Sequence, residues 1–371
     1  MSLYSALARP VLFALDAERA HNLTMAALGV PLVPSLLAAT APRDESRLRQ
    51  QAFGVTFRNP IGLAAGLDKQ GTAVRAWPAL GFGFAEIGTV TPRPQPGNPQ
   101  PRLFRLRDDR AVINRFGFNS DGADQVAANL ARTNPASRPS DSGARFRLGI
   151  NIGKNKATPN EQAAEDYVKA VEILHPYADY IVINVSSPNT AGLRSLQASE
   201  AIRPLVEQVV AATRSAARRD LPVLVKVSPD MDDRDLLDSV EGAAAGGARG
   251  VIATNTTLAR EDLKASAALR AEAGGLSGAP LRTRANAVCR VLFTQFRGRL
   301  PIIGVGGIFT ADDAYQRVRA GAALVQLYTG FIYEGPAVVS RIAAGVAARL
   351  ERDGFASITD AVGIDADRRS P

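Results

Sequence analysis

From residue 60 onward the chain repeats one pattern: a short apolar run, then a stretch of helical periodicity, eight times over. The apolar runs fall at Pro60–Gly66, Phe84–Val90, Arg147–Gly153, Tyr180–Ser186, Pro222–Ser228, Gly250–Thr256, Pro301–Gly307 and Leu324–Gly330. Helical stretches follow them near 71–80, 121–131, 161–175, 200–218, 232–246, 281–296, 311–320 and 336–352. Strands covered by helices on both faces read as nearly unbroken apolar runs, because neither side of the pleat meets water. Strand and helix alternating in this way build parallel β/α units, and closure at eight gives the (β/α)8 TIM barrel, an α/β fold. A doubly wound open sheet is the alternative, but its early strand should lead into a dinucleotide-binding glycine fingerprint, and the glycines here fit none.

Other segments depart from this repeat. Gln51–Arg58 and Arg102–Asn114 read as short hairpins, Leu258–Ser277 as a long strand-to-helix loop, and Thr133–Arg145 as a Ser/Pro/Arg-rich loop. The last residues, Asp365–Pro371, are expected to fray. Residues 1–46 form a separate extension ahead of a catalytic unit at 47–371. Leu3, Leu7, Leu12 and Leu15 fall near helical spacing, interrupted by Pro10, and Asp16 is placed to cap a second helix that ends by Gly29. Pro31 and Pro34 punctuate the chain beyond that helix, and residues 42–45 read as a linker. Two short helices cannot bury all their apolar surface on each other. They therefore pack on the barrel, present that surface to a membrane, or do both.

Composition limits the chemistry. The single cysteine, Cys289, excludes a disulfide framework and a thiolate cluster, and the two histidines, His21 and His175, lie too far apart in sequence to suggest a metal site. No run approaches the ~18–20 apolar residues needed to cross a bilayer, and no signal peptide is evident. The formal charge of +8 raises nucleic acid as a partner. The basic cluster between Arg93 and Arg115 lacks aromatic interleaving and any nucleic-acid-binding motif, so an anionic membrane surface or a small anionic substrate suits it as well.

Barrel enzymes carry their sites at the C-terminal ends of the strands, so those ends hold the functional information. The fourth strand is the plainest case: Tyr180–Val185 is apolar, then Ser186, Ser187, Asn189 and Thr190 crowd its end around Pro188. Buried hydroxyls and amides are costly unless something meets them. The bland reading of that stretch is a turn that caps the next helix. The other rims repeat the design, with Lys69 after the first strand, Asn151 in the third, Lys226 inside the fifth and Thr254-Asn255-Thr256 at the sixth. Gly306-Gly307 after the seventh strand offers backbone N–H groups to a phosphate. Four rim asparagines, two lysines and no carboxylate pair argue against paired-acid hydrolysis and for a planar ligand rich in C=O and N–H groups with a phosphate tail.

The motifs Ala64-Ala-Gly-Leu-Asp-Lys69, Ile113-Asn-Arg-Phe-Gly-Phe-Asn119, Asn184-Val-Ser-Ser-Pro-Asn-Thr190, Gly274-Gly-Leu-Ser-Gly278 and Gly304-Val-Gly-Gly-Ile308, with Lys226 and Thr254-Asn255-Thr256, resemble those of dihydroorotate dehydrogenases, from about residue 10 to 350. The N-terminal extension, and serine rather than cysteine at 187, are similar to the membrane-associated, quinone-reducing class 2. That resemblance implies FMN held by Ala65, Gly66, Leu67, Asp68, Lys69, Thr89, Asn151, Asn184, Lys226, Thr254, Gly278, Gly307, Tyr328 and Thr329. It implies dihydroorotate bound by Lys69, Asn114, Arg115, Phe116, Gly117, Phe118, Asn184, Asn189, Asn255 and Thr256. Ser187 would be the base, Lys69 would offer a cation to the substrate carboxylate, and no metal would take part. Because no histidine or carboxylate adjoins Ser187 in sequence, a hydroxyl or water relay through Thr190 is expected to activate it. A quinone would meet His21, Arg105 and Tyr328 between apolar walls that include Leu12, Leu15, Leu23 and Met25. The implied protein is a monomeric flavoenzyme of pyrimidine biosynthesis, peripheral on the cytoplasmic face of the inner membrane if bacterial, with no nucleic-acid partner. A tRNA dihydrouridine synthase would need a rim cysteine, and a non-catalytic phosphate-binding barrel would need neither Lys226 nor Ser187.

Overall fold

The computed structural model describes residues 4–38, 41–42, 44–133, 145–217 and 219–367. In chain order the strands are β1 (Gln50–Ala52), β2 (Val55–Phe57), β3 (Ile61–Leu63), β4 (Phe84–Val90), β5 (Leu103–Leu106), β6 (Ala111–Asn114), β7 (Arg147–Ile152), β8 (Tyr180–Asn184), β9 (Val223–Val227), β10 (Gly250–Ala253), β11 (Gly275–Gly278), β12 (Ile302–Val305) and β13 (Ala322–Leu327). Eight of them, β3, β4, β7, β8, β9, β10, β12 and β13, pair in parallel and close into a barrel, with Leu327 beside Leu63 at the seam. All eight apolar runs of the sequence supply its staves.

Period-two alternation sets the barrel interior in layers. Phe84, Tyr180, Leu224, Ile252, Ile303 and Leu324 form an apolar layer, and Phe53 and Phe57 of the antiparallel β1–β2 hairpin plug the end below it. One step up, the same strands carry Glu86, Val182, Lys226 and Gln326, so the layer nearest the rim turns polar. The larger core lies between barrel and helices and includes Trp77, Ile150, Val206, Val240, Leu292 and Ile342.

The helices are α1 (Arg9–Ala14), α2 (Ala17–Gly29), α3 (Leu32–Leu37), α4 (Ala76–Ala79), α5 (Ala123–Thr133), α6 (Ala163–Leu174), α7 (Ser199–Ala217), α8 (Asp233–Ala245), α9 (Ala267–Arg270), α10 (Arg282–Phe296), α11 (Ala311–Arg319), α12 (Thr329–Glu334) and α13 (Val338–Arg352). The stretch expected as a helix over 71–80 shrinks to α4. Asp68 holds residues 71–75 in a loop by accepting from Thr72 N (2.9 Å), Ala73 N (3.1 Å) and Trp77 Nε1 (3.0 Å). Leu258–Ser277 is not all loop either. It ends in β11, which pairs antiparallel with β6 and joins the β5–β6 hairpin in a three-stranded sheet above the rim. Pro31 and Pro34 start a helix rather than only interrupting one, Pro31 standing just before α3 and Pro34 within its first turn. Residues 134–144 of the Ser/Pro/Arg-rich loop lie outside the described residues. Of the tail expected to fray, 365–367 are tied down by Arg319–Asp365 and Arg297–Asp367 ion pairs, and 368–371 are not described.

The extension packs on the rim. Asp16 caps α2 through Glu18 N (3.0 Å) and Arg19 N (2.9 Å). Phe13 is buried edge-on against Tyr333 of α12, ring centroids 5.2 Å apart, and Tyr4 donates to Ile332 O at 2.6 Å. Its other face stays bare: Leu7, Val11, Leu23, Val30, Leu32 and Leu36 are all half exposed or more. Among the described residues no helix is long and apolar enough to cross a membrane.

Candidate active site

A cavity of about 970 Å³, counting its mouth, opens at the C-terminal end of the barrel. Its floor follows from the polar layer. Glu86 is fully buried and accepts from Asn151 Nδ2 and Gln326 Nε2, each at 2.8 Å. Asn151 Oδ1 in turn accepts from Thr89 Oγ1 (2.6 Å) and from Asn184 Nδ2 (3.1 Å), so both ends of the Asn151 amide are partnered, whereas Gln326 Oε1 is left bare. Lys226, beside Asn184 in the β8–β9 register, lines the cavity. Among the described residues no hydrogen bond or ion pair reaches its ammonium. Burial pushes its pKa down and the Glu86 carboxylate opposes that shift. Burial thus works against the charged form of this lysine, and the nearby Glu86 carboxylate works for it.

The next wall is built from loops. Asn255 Nδ2 donates to Asn184 Oδ1 (3.3 Å) and Ser186 Oγ (3.0 Å), and Asn189 Nδ2 donates to Asn114 Oδ1 (3.3 Å). Lys69 Nζ sits 3.5 Å from the centroid of the Phe116 ring, and burial lowers its pKa to about 7. Ser187 is buried, and its Oγ accepts from Asn189 N at 3.3 Å. Among the described residues no hydrogen bond links it to Thr190, also buried, so the expected relay is not formed by direct contact.

The far wall is a glycine cradle. Gly278, Gly306 and Gly307 have φ of +105°, +113° and +72°, which L side chains rarely adopt. A Cβ on Gly278 would lie 2.4 Å from Arg110 O, and one on Gly307 2.5 Å from Arg282 Cβ. A side chain at either position would collide with the neighbouring chain, so the bare backbone of Gly278 and Gly307 forms this part of the cavity wall. Ser277 Oγ and Thr329 Oγ1, 2.8 Å apart, complete the cradle.

Most residues chosen from sequence meet at this cavity: Ala65, Gly66, Lys69, Thr89, Asn114, Phe116, Gly117, Phe118, Asn184, Ser187, Asn189, Lys226, Thr254, Asn255, Thr256, Gly278, Gly307, Tyr328 and Thr329. Leu67, Asp68, Asn151, Thr190 and Arg115 do not line it. Asp68 turns inward to hold its own loop, Asn151 stands behind Thr89 and Asn184, and Arg115 turns outward to Glu272. Sequence reading passed over Glu86 and Gln326. The only signal was a polar residue inside an otherwise apolar strand, the same signal that marked Lys226.

A second, mainly apolar cavity of about 1030 Å³ lies between the extension and the rim. Leu12, His21, Met25, Leu67, Arg105 and Tyr328 are among its walls, whereas Leu15 does not line it and Leu23 points to solvent, 53% exposed. Arg105 donates to Leu12 O (2.9 Å) and to Leu15 O, and stacks over Phe13 at 4.7 Å. It thereby fixes the α1–α2 turn as well as facing the chamber. Burial, reinforced by the Lys69 charge, lowers the His21 pKa to about 3 and keeps its imidazole neutral. Tyr328 lines both cavities and is the ring between them.

A closed (β/α)8 barrel with a polar, lysine-bearing cavity at its C-terminal rim, backed by an apolar chamber, places the chain in the class of barrel enzymes. The profile of the dihydroorotate dehydrogenase family matches residues 47–350, and the chain belongs to that family. It is 50% identical to a dihydroorotate dehydrogenase (quinone) of Deinococcus deserti, over 98% of this chain and all of that protein. The enzyme of the same name from Streptomyces coelicolor is 48% identical over 99% of this chain and all of its own. Among solved structures, DHODH from Eimeria tenella in complex with ferulenol superposes with a TM-score of 0.84 at 38% identity, covering 94% of this chain and 96% of that one. Cys289, at the centre of α10, is fully buried and far from a role as rim base.

Proposed function

We propose that the protein oxidises (S)-dihydroorotate to orotate, with FMN as the hydride acceptor and a membrane quinone as the final electron acceptor, in the pyrimidine pathway. The observation that carries this reading is the pair of cavities meeting at Tyr328: one lined with amides, hydroxyls and lysines, the other with aliphatic side chains. A polar heterocyclic acid and a lipophilic ring need such separate places. The half-identical relatives carry the same activity in their names.

The residues fit FMN. The glycine cradle at 278 and 306–307 suits its phosphate, and the Lys226 ammonium at the cavity wall suits a ring that gains negative charge on reduction. FMN, when bound, supplies the hydride-accepting ring. The chain supplies the rest. Lys69 offers a cation to the substrate carboxylate, and Asn114, Asn184, Asn189 and Asn255 offer paired donors and acceptors to its ring amides. Ser187 takes the C5 proton as the C6 hydride leaves. Packing against one another fixes these amides before substrate arrives, which lowers the entropic cost of orientation.

Residues 1–46 act as the quinone-side extension, and their exposed leucines and valines with the basic rim suit peripheral binding to an anionic membrane surface. The chain works as a monomer on this reading. Anaerobic addition of dihydroorotate to the yellow holoenzyme should bleach the flavin, and a quinone analogue should restore it. A colourless protein, or a flavin indifferent to dihydroorotate, would sink the proposal.

A further inference from the structure

A third cavity, about 640 Å³ with its mouth, lies between α2 and the loop after β3. Its rim is exposed, at Asn22, Thr72 and Asp121, while its floor includes buried Lys69 and Phe116, shared with the polar cavity, and His21, shared with the apolar chamber. Asn119, which ends the Ile113–Asn119 motif, lines this cavity alone, and its Oδ1 is buried without a hydrogen-bond partner. A buried amide oxygen left bare costs ~1–3 kcal/mol, and a roomy polar cavity relieves that cost by holding water.

We propose that this cavity is a hydrated port that delivers a proton from bulk water to the quinone, with His21 as the group that hands it on. The inference rests on the quinone reading above. Reducing a quinone to its quinol adds an electron pair and two hydrogens. The pair and one hydrogen would come as a hydride equivalent from the flavin when it is bound and reduced, so the other hydrogen must be a proton from solvent.

The chamber itself offers few groups to pass that proton. Tyr4 donates to Ile332 O (2.6 Å), Thr24 Oγ1 to Ala20 O (2.8 Å), and Arg105 is fixed on two carbonyls. Tyr328 does not reach the port. His21 faces both, and among the described residues neither of its nitrogens has a hydrogen bond. A neutral imidazole is suited to the transfer: one nitrogen releases its proton to the quinone oxygen as water protonates the other, so the ring never holds a lasting charge in an apolar wall.

Asn119→Leu closes the port to water without touching the walls of either ligand cavity. In rapid mixing, reoxidation of the reduced enzyme by saturating quinone analogue should slow, with a larger solvent isotope effect. His21→Ala should slow it on the order of 10²-fold, the scale of a lost proton-transfer partner, and added imidazole should restore part of the rate. Flavin reduction by dihydroorotate, and reoxidation by ferricyanide, which takes electrons without protons, should stay at wild-type rates in Asn119→Leu. The chain has two histidines, so ring-labelled NMR should show water contact at His21 that Asn119→Leu removes. A wild-type quinone rate and isotope effect in Asn119→Leu, or a dry His21 ring in the native enzyme, would overturn the port alone. A native enzyme whose reduced flavin ignores quinone would overturn the quinone reading with it.

Discussion

Arg102 and Glu18 form a buried ion pair across the join between extension and barrel, Nη2 to Oε1 2.8 Å, with each side chain only 11% exposed. Arg102 also donates to Pro96 O (2.7 Å) and Asn98 O (2.9 Å), so the loop between β4 and β5 keeps it partnered if the extension is removed. Deleting residues 1–45 should therefore separate the half-reactions. Dihydroorotate should still bleach the flavin, while quinone turnover and liposome binding fall together. Unchanged quinone kinetics in the truncated protein would make the extension merely structural.

Ser187→Ala should still bind FMN and orotate but be reduced by dihydroorotate at least ~10²-fold more slowly. Ser187→Cys should keep part of the activity. Stopped-flow bleaching at the wild-type rate in the alanine variant would remove Ser187 as the base.

Burial holds the Lys69 pKa near 7. Its cation is present below that value and lost above it, so orotate affinity should fall as pH rises through about 7. Lys69→Met should bind orotate weakly at every pH, and its titration curve should lose the inflection. A Met variant with the same inflection would assign it to another group.

Arg105→Ala should impair quinone-dependent turnover and leave flavin reduction by dihydroorotate unchanged, the pattern of a residue acting in one half-reaction. Because two carbonyls of the α1–α2 turn accept from its fork, Arg105→Lys should restore little. Steady-state kinetics of both variants with a quinone analogue would show it.

Arg194 ties three rim loops together: it donates to Ser186 O (3.2 Å) and Thr256 O (3.3 Å) and pairs with Asp230 (2.9 Å). Arg194→Ala frees the loop that carries Ser187, and hydrogen bonds to charged groups contribute roughly 1.5–3 kcal/mol each. Flavin reduction should slow and the dihydroorotate KM rise, while ferricyanide reoxidises the flavin at the native rate. Native reduction kinetics would show the clamp to be incidental.

The barrel was legible because each stave is an apolar run bounded by turn residues, a signal that survives without tertiary context. β11 was not: Gly275-Leu-Ser-Gly278 has little strand propensity, and it is a strand only because β6 offers it an edge. The 71–80 helix failed for the opposite reason, since Asp68 offers the same backbone N–H groups a different acceptor. Leu67 and Asp68 were placed with the cofactor because they sit inside a motif. Adjacency in sequence does not say which way a loop side chain points, and here one faces the apolar chamber and the other its own loop. Glu86 was missed because a lone acid in an apolar strand is interpretable only once its partners Asn151 and Gln326, from other strands, are known.

The aromatic ring of Tyr328 is a wall of both the amide-lined cavity and the oily one. An inhibitor lodged on one side therefore leaves the other free, and two such compounds can occupy the molecule together. Pairs of compounds aimed at the two sides should therefore combine rather than compete, and a change at position 328 should alter the affinity of both at once.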